Sequence, residues 1–166
     1  MITAGEYPAA RSAAVSLLAE IPAQDARRLT LLNNIAYIDA LLDDPALLDE
    51  ADRYSTEALA SLPWHPSLKN TRGLVLLALN RLDEALPLLR ESVNAPDQSP
   101  ESRAERLCTL AMAEARQGEP ASAERNLTAA RQIDPQCLLL PRAEMVLENM
   151  KYQKHESIPT AEALPG

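Results

Sequence analysis

Apolar residues recur along this chain at helical spacing, in stretches separated by proline, glycine and asparagine. The pattern predicts helices over 7–20, 24–42, 46–61, 67–79, 82–94, 100–117, 120–132 and about 140–154. The chain has 13 prolines, an apparent contradiction. Most of them fall between apolar stretches or at first turns, where a missing N–H is tolerated. The last helix, PRAEMVLENMKYQ, carries Ala143, Val146 or Leu147, and Met150 on one stripe, as suits a helix that covers the end of an array. Beyond it the period is lost, and 155–166 is expected to be a flexible tail.

Small residues within these helices keep a common ruler. Asn80 precedes Ala85 by five places, and Gly118 precedes Ala123 by five. Ala130 and Pro135 follow Ala123 by seven and twelve, as Ala58 and Pro63 follow Ala51. Gly5, Ala10 and Pro22 keep the five and the twelve. Each preceding helix has a small residue of its own. Gly73 stands twelve before Ala85, Ala111 twelve before Ala123, and Ala36 fifteen before Ala51, because LLDDPALLDEA has a longer turn. The unit is helix, turn, helix, repeating every 34 to 41 residues. Two helices approach closely only where side chains are small, so Gly73 is expected opposite Ala85, and Ala111 opposite Ala123. A third small residue, Ala58, Ser92 or Ala130, lets the second helix meet the next unit. One hairpin cannot bury its apolar face, whereas a stack can.

This arrangement resembles the tetratricopeptide repeat (TPR) family over about residues 5–135, most strongly in GLVLLALNRLDEALPLL. Where a typical unit has Trp and Tyr, this chain has Lys69 or Leu107, and Leu76 or Glu114. The resemblance implies an all-α, right-handed α-solenoid over 1–154, with about three full repeats, an N-terminal half repeat and a C-terminal capping helix. GEYPAARSAAVSLLAEIP matches a second helix whose partner is missing. Val15 and Leu18 are expected to face the next helix, while Ala10 and Ala14 form an uncovered side with Arg11, Ser12 and Glu20 as partial cover. Ala10 and Ala14 are therefore expected at an interface with an upstream domain or a second copy, unless this helix is itself a modest cap.

The resemblance also implies a concave groove, lined by the first helix of each hairpin, that binds a peptide or protein segment. The groove positions are three before and one after the small residues: Asn33 and Tyr37, Asn70 and Leu74, Cys108 and Met112. Asparagine offers a donor and an acceptor to an extended backbone; Leu74 and Met112 are expected as an apolar floor. A carboxylate-gripping subclass of the family uses cations on this face. Here Asn33, Asn34, Asn70 and Lys69 meet Glu105 and Thr109 where cations would stand, so that specialisation is not expected.

Composition narrows the function. The chain is 46% hydrophobic with no Phe and four glycines, which favours helices over strands. Its net charge of −8 opposes a nucleic-acid backbone or an anionic membrane surface. The longest apolar run, GLVLLAL, is too short to span a bilayer, and the opening lacks the apolar core of a signal peptide. A cytoplasmic location is expected, or the soluble segment of a membrane-bound protein. Cys108 and Cys137 have neither metal nor redox spacing and read as reduced packing residues. His65 and His155 stand apart, no glycine-rich loop could hold phosphate, and the acidic pairs near Pro45 suit helix starts. No catalysis, cofactor or metal is expected. In LPWHPS, Trp64 reads as a cover for the seam between the second and third hairpins, with ligand stacking as the alternative. The function expected is non-catalytic protein–protein interaction through the groove; the alternative is a scaffolding or self-associating segment that uses its N-terminal end.

Overall fold

The computed structural model describes residues 4–96 and 99–156. Among these residues, a 3-10 turn at Ala4–Glu6 leads into eight α-helices, with no strand. They are α1 (Tyr7–Glu20), α2 (Arg27–Leu42), α3 (Pro45–Ser61), α4 (Pro66–Ala78), α5 (Leu82–Val93), α6 (Pro100–Arg116), α7 (Pro120–Ile133) and α8 (Leu140–Glu156). Proline opens α3, α4, α6 and α7. Asp44 caps α3 by accepting from the Ala46 N–H at 3.0 Å, and Ser99 caps α6 by accepting from Ser102 at 3.2 Å. Helix α2 starts at Arg27, three residues later than the pattern predicts. The Asp25 carboxylate takes the Arg27 N–H at 2.8 Å and its Nε at 2.9 Å, which holds the preceding segment in a turn. Helix α8 runs through Glu156, so two residues of the expected tail are helical; 157–166 lie outside the described residues.

The turns inside the second and third hairpins are built alike. Asn80 (φ 57°) and Gly118 (φ 85°) take the left-handed conformation that ends a helix. The following N–H then reaches back to the third-last carbonyl, Arg81 to Leu76 at 2.8 Å and Glu119 to Glu114 at 2.9 Å. The equivalence of the two units thus extends to individual hydrogen bonds.

Consecutive helices pack as hairpins α2–α3, α4–α5 and α6–α7, and each hairpin packs on the next. A second row of contacts joins α2 to α4, α4 to α6, and α6 to α8, so the even-numbered helices form the inner layer of the stack. The small residues of the ruler that lie inside the helices of the three hairpins are buried: Ala36, Ala51, Ala58, Gly73, Ala85, Ser92, Ala111, Ala123 and Ala130. At Gly73 the close approach is to Leu89, one turn beyond Ala85: a methyl group added there would lie 2.4 Å from Leu89 Cδ2 and 2.5 Å from its Cγ. Ion pairs stitch the seams between units. Arg72 of α4 donates to Asp52 Oδ1 at 2.5 Å and to Ser55 Oγ at 3.0 Å, both on α3.

Two sequence expectations change here. Arg11 does not cover an outer face; it turns inward to Asp39 of α2 at 2.5 Å and Glu50 of α3 at 2.9 Å. Asp39 is fully buried, which raises its carboxyl pKa, and the Arg11 hydrogen bond offsets part of that cost. Trp64 is 72% exposed, so it does not seal the seam. As expected, Val15 and Leu18 pack in the small cluster that contains Leu32 and Ile35 of α2.

The inner layer curls. Arg116 of α6 donates to the Leu77 carbonyl at the end of α4 (2.8 Å), and Arg142 of α8 donates to the Leu41 carbonyl at the end of α2 (2.5 Å). The second bond spans 101 residues and ties the last inner helix to the first. Both guanidinium groups sit where the helix dipole is negative. Among the described residues, no helix is long and apolar enough to cross a membrane.

Candidate functional site

The curl brings α2 and α6 face to face across α4. Between them lies a polar cavity of about 200 Å3. Asn33, Asn34 and Tyr37 line it from α2, Ser67, Asn70 and Thr71 from α4, and Ser102, Glu105 and Arg106 from α6. Beside it lies a larger, mainly apolar cavity of about 450 Å3. Ala10 and Ala14 of α1, Ile38 of α2, and Cys137, Leu138 and Leu139 of the α7–α8 connection supply apolar surface; Glu101, Glu105 and Asp134 supply negative charge. Asn34, Tyr37 and Glu105 line both cavities. A Tyr37–Glu105 hydrogen bond therefore forms a strut from α2 to α6 along the boundary of the two.

The polar groups of the smaller cavity are unevenly satisfied. Asn33 Oδ1 and Asn70 Oδ1 are buried, and neither has a hydrogen-bond partner among the described residues. Leaving a buried acceptor unpaired costs about 1–3 kcal/mol, so two on adjacent inner helices are an expensive feature. Arg106 is buried and donates to Ser67 Oγ at 3.1 Å and to the Ser92 carbonyl at 3.5 Å; no carboxylate of the described residues is within ion-pair distance. Burial lowers its pKa, against the opposing pull of Glu105. Among the described residues Glu105 likewise has no ion-paired cation; burial raises its carboxyl pKa, while the Tyr37 hydroxyl and Arg106 pull it back. Burial, then the Glu105 charge, pushes the Tyr37 hydroxyl well above its ordinary value. The site thus presents open acceptors, one carboxylate and one guanidinium within a few side-chain lengths.

Of the expected groove residues, Asn33, Tyr37 and Asn70 meet in the polar cavity, and Tyr37 also reaches the apolar one. Leu74, Cys108 and Met112 are closed into the main core instead of forming an exposed floor. The reason is the crowding of the inner helices: α4 is packed by α2, α3, α5 and α6, and α6 by α4, α5, α7 and α8. Apolar residues on every side of such a helix are buried. Ala10 and Ala14 line the larger cavity, so the small side of α1 faces into the cleft. Lys69 is held in an ion pair with Glu91 at 2.6 Å and contributes nothing to the site. Arg106 and Ser67 were not legible as site residues. Arg106 stands next to Glu105, where the family comparison suggested only an acid, and the helix register that turns it inward depends on packing. Among the described residues, no group of three or more His, Cys, Asp or Glu side chains could hold a metal ion.

No family model and no curated protein matches the sequence. Among solved structures, the chain is similar to a tetratricopeptide repeat protein from Parabacteroides merdae ATCC 43184, with a TM-score of 0.56 and 19% sequence identity. The match covers 92% of this chain and 57% of that protein, so this chain aligns with just over half of it. The repeat spacing, the matched hairpin turns, the layered helix contacts and this likeness agree on one architecture: the chain has the fold of a tetratricopeptide repeat protein, an all-α solenoid of helical hairpins.

Proposed function

We propose that the chain is a non-catalytic protein-interaction module that holds an extended peptide segment in the cleft between α2 and α6. The observation that carries this reading is the pair of unpaired buried oxygens on Asn33 and Asn70 in one cavity. An extended backbone supplies what these atoms lack, N–H donors, and offers its carbonyls to Arg106. Binding would then recover a desolvation cost that the free protein carries. The neighbouring cavity, apolar with Glu101, Glu105 and Asp134 around it, suits a large apolar side chain next to a basic residue. In this reading Ala10 and Ala14 belong to the cleft and shape its apolar half.

Selection from a random peptide display library on the immobilised full chain tests the reading. Enriched sequences should share a large apolar residue beside Lys or Arg, and should compete with one another for a single site. Enrichment of acidic sequences, or no enrichment above an unrelated helical protein, would contradict it.

A further inference from the structure

Cys108 and Cys137 stand 29 residues apart in the chain and read as separate packing residues, yet the fold sets their sulfurs 3.9 Å apart. We propose that they form a peroxide-reactive thiol pair, in which Cys137 takes the peroxide oxygen and Cys108 closes the disulfide. The two positions divide the roles. Cys137 lies in the connection between α7 and α8 and lines the larger cavity with 8% of its surface exposed, so this cavity is the side from which a small oxidant would reach it. Cys108 lies inside α6, has no exposed surface and does not line that cavity, so oxidising equivalents reach it only through Cys137.

Hydrogen bonding supports the same division. The two sulfurs are within hydrogen-bond distance and either can donate, whereas the Leu139 N–H donates to the Cys137 sulfur alone. The backbone N–H favours negative charge on Cys137, and with Cys108 as the donor between the sulfurs the Cys137 pKa falls while that of Cys108 rises. Glu105 of α6 and Asp134 of the connection oppose the shift at Cys137, and Glu144 of α8 acts on Cys108.

The chemistry balances with a hydroperoxide as oxidant. The Cys137 thiolate attacks one peroxide oxygen; an S–O bond forms, the O–O bond breaks, and the leaving oxygen takes up the proton that Cys137 released on ionising and departs as water or an alcohol. The Cys108 sulfur then attacks the sulfenic sulfur. An S–S bond forms, the S–O bond breaks, and the Cys108 proton leaves with the hydroxide as water. Two electrons pass from the thiols to the peroxide. The sulfurs must close to about 2 Å, and Cys137 stands in a connection rather than in a helix.

The test is hydrogen peroxide added in small excess to the reduced, folded full chain, followed by thiol counting and peptide mapping. The expected result is loss of both thiols and one Cys108–Cys137 crosslink within a single chain. In Cys108→Ser, dimedone should trap a sulfenic acid on Cys137; in Cys137→Ser, the remaining thiol should persist under the same treatment. The wild-type result needs no variant to fold. Retention of both thiols, a disulfide between chains, Cys137 carried to sulfinic acid without a crosslink, or oxidation of Cys108 in Cys137→Ser would each overturn the proposal.

Discussion

Asn70 is 2% exposed, and its side-chain oxygen has no partner among the described residues. Such an atom weakens the free protein unless something binds it. Asn70→Leu, similar in size and next to open cavity volume, should therefore stabilise the fold by about 1 kcal/mol in urea unfolding, while peptide binding is lost. Loss of stability in that variant would mean that the oxygen is satisfied in solution. Glu105 makes a related statement about pH. Its folded pKa is raised, so its contribution is most favourable below the ordinary carboxylate range and is lost as pH rises through the raised value. Glu105→Gln keeps an acceptor for the Tyr37 hydroxyl and removes the buried charge. The variant should be more stable than wild type at pH 7.5, with the gap narrowing towards pH 4.5. Asp39 and Glu114 are shifted the same way but are common to both proteins, so the difference isolates Glu105.

The helices themselves carry two sharper tests. Gly73 lies against the buried Leu89, and a methyl group there would sit 2.4 Å from it. Gly73→Ala gains about 1 kcal/mol of helix propensity, but overpacking costs about 1–3 kcal/mol. A net loss of about 1 kcal/mol is expected on thermal unfolding. Pro87 lies inside α5 on its exposed side, where it cannot donate to the carbonyl one turn back. Pro87→Ala should raise the melting temperature, by the equivalent of about 1–3 kcal/mol. Most of this level was legible in the sequence. Helix ends follow from prolines at first positions and from Asn80 and Gly118 at turns, and the buried small residues follow from spacings of five, seven and twelve. These are local features, decided within one hairpin. The start of α2 was missed because Asp25 and Arg27 form a turn that apolar periodicity does not register.

Across the whole molecule, the angle between successive hairpins decides which residues meet, and no spacing encodes it. The family resemblance, applied in register, placed Asn33, Tyr37 and Asn70 on the inner face, and they do share a cavity. Leu74 and Met112 obey the same register and are nevertheless buried, because the inner helices crowd one another. The Tyr37–Glu105 strut, the Arg142 tie to Leu41 and the Cys108–Cys137 pair join residues that only the curl brings together. Trp64 and Arg11 were misread for the same reason, since an exposed corner and an inward ion pair look alike in a linear chain. The central claim is that the two asparagines hold a peptide backbone in this curled cleft. Its most direct test is the affinity of a fluorescent, library-selected peptide for Asn33→Ala/Asn70→Ala, measured by anisotropy with helicity checked by circular dichroism. Loss of two hydrogen bonds of about 1 kcal/mol each predicts binding weaker by about thirty-fold with helicity unchanged; affinity within about two-fold of wild type would contradict it.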